Sequence, residues 1–359
     1  DQAQERWRLP ATPWNAPFID ERTPVSTRHL LPGNHETVFP EAETLLRVGR
    51  ELLALGGWRI GRRTRDRGNR RHWVLHHADG RTAYLIIDAS ADSAADVYQE
   101  AGSAVSVRGG WNRDDAPLPA TMFLQIGRAY SRRGFSWDEV RILTHEFGHV
   151  LHGLAMPAGA TMEWERMPND FCELPSQLVE MMAYCPTVIA RWASPRAKAC
   201  HRSVAFWEQR LLFNSESPLT AQAETVQFLV DFMAHAGDAQ FDLMATANDL
   251  HQRFGFDPLH EGERTPLGYL AWSDYGGAHY CYLLNRFLIA SLLPKWRQGT
   301  PEEQHLVPAI TGLFERVLSR AVHGADVAKA WKSWRGETLG RSARQGARRL
   351  ARRLATYKA

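Results

Sequence analysis

His145-Glu146-Phe147-Gly148-His149 sets two imidazoles four residues apart with a carboxylate between them, and Asp170-Phe171-Cys172-Glu173 adds further carboxylates downstream. On a helix, histidines at this spacing project from one side and can share a metal. The Glu between them lies beside that metal, where it can act as general base. The set outlines a catalytic zinc site with His145 and His149 as ligands and Glu146 as base. Ser136 followed three residues later by Glu139 is a capping box, which predicts a helix from Trp137 to about Gly153. At about 100° per residue, Val140, Leu143, Phe147, Val150, Leu151 and Leu154 fall on one face. His145, Glu146, His149 and His152 fall on the other. The apolar face would fix the helix to a core, and the metal face would line a cleft.

The third ligand comes from the downstream carboxylates. Read as one helix, Asp170 to Tyr184 carries a polar stripe of Glu173, Gln177, Glu180 and Tyr184, with Phe171, Leu174, Leu178, Met181 and Met182 largely opposite. Glu173 is the expected ligand. Glu180 and Asp170 are placed to hydrogen-bond a ligating histidine, or to serve as plain surface or capping acids. Pro175 should kink this helix or confine it to its early turns. Other zinc patterns fit less well. His152 stands where an extended three-histidine pattern needs Gly, and the next histidine is His201, so His152 reads as a supporting or groove-lining residue. Cys172, Cys185, Cys200 and Cys281 show no paired spacing for a thiolate zinc site.

The run from His145 to Leu154 followed by Asp170 to Gln177 resembles the thimet oligopeptidase family of zinc peptidases, which includes oligopeptidase A and mitochondrial intermediate peptidase. A third block, Tyr275-Gly-Gly-Ala-His-Tyr-Cys-Tyr-Leu-Leu-Asn-Arg286, resembles that family's Gly-Tyr loop and following helix, most closely in the mitochondrial intermediate peptidase branch. Weaker similarity runs upstream through Val107-Arg-Gly-Gly110 and Asn34-His-Glu-Thr-Val-Phe39. The resemblance implies that His145, His149 and Glu173 hold one Zn²⁺ and that Glu146 is the base. It also implies that Tyr275 and Tyr282 approach the scissile carbonyl, where a phenol can donate to a developing oxyanion. Gly276 and Gly277 would let their loop flex over bound peptide.

Two departures stand out. Leu270 and Ala271 occupy the places where the family carries a His before the first tyrosine, and His279 stands at the next tyrosine position as a substitute donor or a packing residue. Family members are also nearly twice as long, with an N-terminal helical half that walls a deep substrate channel. This chain of 359 residues begins at Asp1 without an initiator Met, which fits a processed protein, a fragment, or a compact relative with a more open cleft.

With 44% hydrophobic residues the chain can bury a substantial core. No apolar run reaches the roughly 18 residues of a membrane span, and the N-terminus lacks a charged-then-apolar signal pattern. Cysteines without a framework suggest a reducing compartment, the cytoplasm by default and the mitochondrial matrix as the alternative. The expected fold is mainly α with a small N-terminal β-sheet, a zincin-like helical metallopeptidase domain. Residues 1–34 are Pro-rich and irregular, 35–335 form the catalytic domain, and 336–359 a basic C-terminal helix or tail. A helix fits Glu41 to Leu55, a hairpin joins His72–His77 to Thr82–Asp88 around Asp79-Gly80, and a strand fits Thr121 to Ile126. Such a sheet would offer an edge to the peptide. From Arg341 onward there are seven Lys or Arg and no acids, so the net +3 becomes −4 without that tail. The tail reads as a solvated helix docked through Leu350 and Leu354, with no specific nucleic-acid role.

The sequence therefore points to a zinc oligopeptidase that cleaves internal bonds of short peptides and needs no membrane or nucleic-acid partner. Glu146 would take a proton from the attacking water and deliver it to the leaving amine. The alternatives are a carboxypeptidase-type exopeptidase, with Arg286 or Arg108 fixing the substrate's terminus, and a catalytically impaired peptide-binding relative.

Overall fold

A computed structural model describes residues 35–63, 70–89, 102–108, 111–113, 116–126, 134–156, 168–212, 218–236, 242–256, 277–293, 296–297, 300–320 and 324–356. The Pro-rich segment 1–34, Leu270, Ala271, Tyr275, Gly276 and the side chain of Arg108 lie outside the described residues.

The described residues are mostly helical, with a five-stranded sheet in the N-terminal part and two short two-stranded ones. Helix α1 (Glu41–Leu55) leads into strands β1 (Trp58–Arg63), β2 (Arg70–His77) and β3 (Thr82–Asp88), and β4 (Gly102–Arg108) and β5 (Ala120–Ile126) complete the five-stranded sheet. Its order is β1-β2-β3-β5-β4. All neighbours are antiparallel except β3 and β5, which run parallel. The expected hairpin is present with its turn at Asp79-Gly80, where His77 N–H donates to Arg81 O at 2.8 Å. One face of the sheet is apolar at every second position: Trp73 and Leu75 on β2, Ala83, Leu85 and Ile87 on β3, Met122, Leu124 and Ile126 on β5, all buried. That alternation is what strands packed on one side require. β4 lies at the edge of the sheet.

Helix α2 (Trp137–Ala155) packs against this apolar face, with Phe147 stacked on Trp73 at a centroid separation of 6.5 Å. Its start is the anticipated capping box, in which Glu139 N–H donates to Ser136 Oγ at 3.1 Å and Ser136 N–H to Glu139 Oε2 at 2.6 Å. Val140, Leu143, Phe147, Val150, Leu151 and Leu154 are all buried. At roughly 1.5–3 kcal/mol for each large apolar side chain removed from water, this face holds the helix in place.

The single helix expected from Asp170 to Tyr184 is instead broken into three pieces. A turn of helix α3 (Asn169–Cys172) ends at Glu173, α4 (Leu174–Glu180) follows, and Met181–Tyr184 is a 3₁₀ turn. Pro175 explains the break, since it lacks an N–H and sits in the first turn of α4, where none is needed. Among the described residues seven further α-helices follow: α5 (Pro186–Trp192), α6 (Val204–Leu212), α7 (Pro218–Ala236), α8 (Leu243–Arg253), α9 (Tyr280–Leu292), α10 (Glu303–Arg316) and α11 (Gly324–Arg335). The last helix, α12 (Leu339–Thr356), is the basic segment. It docks on α9, where Arg349 donates to Ala290 O and Ser291 O at 3.1 and 2.8 Å, and Ala343 joins the main core. The side chain of Leu354, expected as an anchor, lies outside the described residues. A small second core of Val226, Val230, Ala247, Leu250 and Phe256 lies between α7 and α8.

Helices α2 and α4 approach closely at Gly148. A methyl group there would lie 2.4 Å from Ser176 Cα and 2.9 Å from Pro175 O, atoms of the backbone that cannot swing aside. Gly148→Ala is therefore expected to destabilise the fold by about 1–3 kcal/mol, read as a lower urea midpoint in equilibrium unfolding.

Candidate metal centre and its surroundings

The Gly148 contact sets the carboxylate of Glu173 against the histidine face of α2. Glu173 Oε2 lies 3.2 Å from His145 Nε2 and 3.4 Å from His149 Nε2. One ligand atom from each of the three residues falls within 4.8 Å of the others, and among the described residues this is the cluster that could hold a metal ion. Two imidazole nitrogens and one carboxylate, partly shielded from water, make the donor set that suits zinc in a site with an open position.

The surrounding groups orient these three. His145 Nδ1 donates to Glu180 Oε2 at 2.8 Å, which turns Nε2 toward Glu173, and Arg141 donates to the other Glu180 oxygen at 2.7 Å. Ser176 Oγ donates to Glu173 Oε2 at 2.9 Å, and Tyr282 Oη to Glu173 Oε1 at 3.1 Å. Asp170, which the sequence offered as a support for a ligating histidine, instead accepts a hydrogen bond from Tyr280 Oη. His152 is fully buried rather than lining an open groove. Desolvation, together with the nearby His149, lowers its pKa to about 3, so it is a neutral imidazole at physiological pH.

Burial resists the charges of His145, Glu173 and Glu180, and the opposite charges around them overcome it. Desolvation works against protonated His145, yet its bonds to Glu173 and Glu180 push its pKa up to about 10 in the metal-free protein. Burial likewise opposes the charge of Glu180, but Arg141 and His145 outweigh it and bring the pKa down to about 2. Glu173 is held well below the usual carboxylate range by the two histidines, again against desolvation. Glu146 behaves differently. It is 5% exposed, and desolvation raises its pKa despite the proximity of His149 and His145. A carboxylate with a raised pKa is a stronger base.

Glu146 also touches the sheet. A methyl group at Gly102, the first residue of β4, would lie 2.5 Å from Glu146 Cγ, so the edge strand passes directly beside this carboxylate. On the other side of the cluster stands α9, where Tyr282 and His279 both face Phe228 of α7 at centroid separations of 6.3 and 6.4 Å. Burial lowers the pKa of His279, with Asp231 opposing, so its ring favours the neutral form. Tyr282 thus reaches the cluster and His279 lies beside Tyr282, at a ring separation of 6.2 Å.

Residues 127–306 match the family model described as peptidase family M3. The chain belongs to peptidase family M3. Among curated relatives, this M3 chain is 26% identical over 211 residues to the dipeptidyl carboxypeptidase of Salmonella typhimurium, a stretch covering 56% of the chain and 30% of that relative. It is 27% identical over 159 residues to the mitochondrial intermediate peptidase of Phaeosphaeria nodorum, covering 43% and 20%. Over 58 residues it is 52% identical to the dipeptidyl carboxypeptidase of Escherichia coli, covering 16% and 8%. The matched part spans less than a third of the length of these relatives.

Sequence reasoning did not single out Arg141, Ser176, Phe228 or Asp231. Arg141 lies four residues before His145 and Ser176 three after Glu173, so helical spacing carried a faint signal for those two. Nothing in the spacing of Phe228 or Asp231 connects them to the site.

The charge network makes two predictions. Because the folded pKa of His145 is raised, its stabilising contribution is fully present below 6.5 and lost as pH rises through about 10. Because that of Glu180 is depressed, its contribution is present above 4.5 and lost as pH falls through about 2. The metal-free protein is thus expected to draw its full benefit from both groups between pH 4.5 and 6.5, checked by urea unfolding in the presence of a chelator across pH. Glu180→Leu is expected to weaken zinc binding by about 10–100-fold, measured by competition with a chromophoric chelator.

Proposed function

We propose that this chain is the catalytic part of a zinc-dependent peptidase that hydrolyses internal bonds of short, unstructured peptides, with residues 35–335 as the catalytic domain. The observation that carries this reading is the convergence of His145, His149 and Glu173 beside a buried carboxylate, Glu146, and the edge strand β4.

Zinc held by the three ligands would supply a Lewis acid and lower the pKa of a nearby water. Glu146, desolvated and of raised pKa, accepts the proton of the attacking water and passes it to the leaving amine. Glu180 and Ser176 keep His145 and Glu173 in register while this happens. Tyr282 carries its hydroxyl to the edge of the cluster, from where it donates to the oxyanion that develops on the scissile carbonyl. His279 serves as a second donor in the place of the family's tyrosine, and Tyr275 is assigned to the same task on the family resemblance. The substrate lies extended along β4. Backbone pairing with that edge would hold the peptide without regard to its side chains and bring its carbonyl past Glu146.

A second reading has one specific support, the relatives named dipeptidyl carboxypeptidase. An enzyme of that kind would release fragments from a free C-terminus, and Arg286 on α9 would be examined as the group that fixes it.

The test is cleavage of internally quenched peptides with metal content measured on the same sample. Wild type is expected to carry about one zinc and to cleave, while Glu146→Gln retains zinc and loses at least about 10²-fold in kcat. Zinc binding without cleavage across a varied peptide set would sink the peptidase reading. Amidating the substrate's C-terminus separates the two modes, since an internal cut survives amidation and a carboxypeptidase cut does not. Tyr282→Phe is expected to lower kcat by about 10²-fold with KM little changed.

A further inference from the structure

We infer that Asp231 is a positioning residue, whose carboxylate holds the Gly277–His279 turn and thereby presents Tyr282 to the metal-ligand cluster; the catalytic part of this inference rests on the peptidase reading above. Asp231 sits in the C-terminal part of α7 and is 0% exposed. A buried carboxylate needs donors on its lone pairs, and here they come from the turn that leads into α9. Gly277 N–H donates to Oδ1 at 3.0 Å and His279 N–H to Oδ2 at 3.2 Å. His235, one turn on along α7, brings Nδ1 to 3.1 Å from Oδ1, and His279 Nδ1 stands 3.9 Å from Oδ2.

This arrangement does the work of an N-cap from a distance. Helix α9 starts at Tyr280, and its N-cap residue, His279, provides no side-chain capping bond. The amides just ahead of the helix are satisfied by Asp231 instead, and the negative carboxylate lies at the positive end of α9. The turn has little freedom to settle elsewhere. Gly277 adopts φ +74°, and a methyl group on it would lie 2.9 Å from His235 Cβ.

Three residues on one face of α7, spaced i, i+3 and i+4, meet the first turn of α9. Phe228 lies nearly parallel to the Tyr282 ring at 13°, Asp231 takes the amides, and Phe232 meets Tyr280 edge-on at a centroid separation of 5.6 Å. From the opposite side, Tyr280 donates to Asp170 and Tyr282 to Glu173. The start of α9 is therefore clamped between α7 and the segment that carries Glu173, and on the α7 side Asp231 accepts from the backbone of the turn that leads into α9.

The experiment compares wild type, Asp231→Asn, Tyr282→Phe and the double variant by amide hydrogen exchange, zinc content and steady-state kinetics. Asn keeps one acceptor and turns an NH₂ toward the other amide. Asp231→Asn is expected to speed exchange of peptides covering 277–283 while those covering 137–155 and the zinc content stay unchanged. It should lower kcat about tenfold with less than about twofold change in KM, and cost less than about twofold when Tyr282 is already Phe. Unchanged exchange at 277–283 would overturn the inference, as would an equal loss of kcat in both backgrounds. If Asp231→Asn does not fold, Gly277→Ala disturbs the same turn and is expected to give the same pattern, and failure to do so counts against the proposal. A wild type that cleaves nothing would defeat the peptidase reading alone, and the exchange result would still decide whether Asp231 holds the turn.

Discussion

Glu173 is only 2% exposed, and an ionised carboxylate in that position is tolerated only with opposite charge and hydrogen bonds supplied around it. His145, His149, Ser176 and Tyr282 supply them. These partners come from three helices, so satisfying one carboxylate draws together α2, α4 and α9. Glu180, also buried, repeats the demand one step outward and is answered by His145 and Arg141. The site is thus an electrostatic knot in a low-dielectric setting, where leaving one partner out costs several kcal/mol.

The apolar framework makes that knot possible. Phe147 against Trp73 fixes the rotation of α2 on the sheet, and this decides which way the two histidines face. Gly148 then removes the one side chain that would keep α4 at a distance, while Gly102 does the same for the edge strand beside Glu146. Both glycines act through the volume they leave empty. The result is asymmetric: three side chains converge on one point with their charges compensated, and a fourth, Glu146, sits beside them in a desolvated pocket that favours its protonated form. Burial dominates at Glu146 and raises its pKa, whereas at Glu173 the two histidines outweigh burial and lower it.

The tyrosine side follows another logic. The first turn of α9 receives support from α7 and from α3 and α4, through aromatic faces and backbone capping rather than through charge pairs alone. A hydroxyl that must meet an oxyanion has to be held more tightly than a flexible loop allows. In the proposed mechanism, the bonds from Gly277 and His279 N–H to Asp231 would help to meet that need.

Much of this was legible in the linear chain, for local reasons. The capping box, the 3.6-residue periodicity of α2, the His145-to-His149 spacing, the Asp79-Gly80 hairpin and the bounds of α1 each depend on neighbours within a few residues, and sequence by itself determined them. Where the chain's pattern was ambiguous, reading by periodicity alone ran Asp170 to Tyr184 into one helix, although Pro175 already marked the weak point. Only the tertiary structure decided which carboxylate serves which histidine: Glu173 and Glu180 both lie on the expected polar stripe, while Asp170 is taken by Tyr280 across an interface. Asp231 and Phe228 were invisible for the same reason. Their partners lie tens of residues away, and such pairings arise only when the burial of apolar faces has already chosen which helices touch.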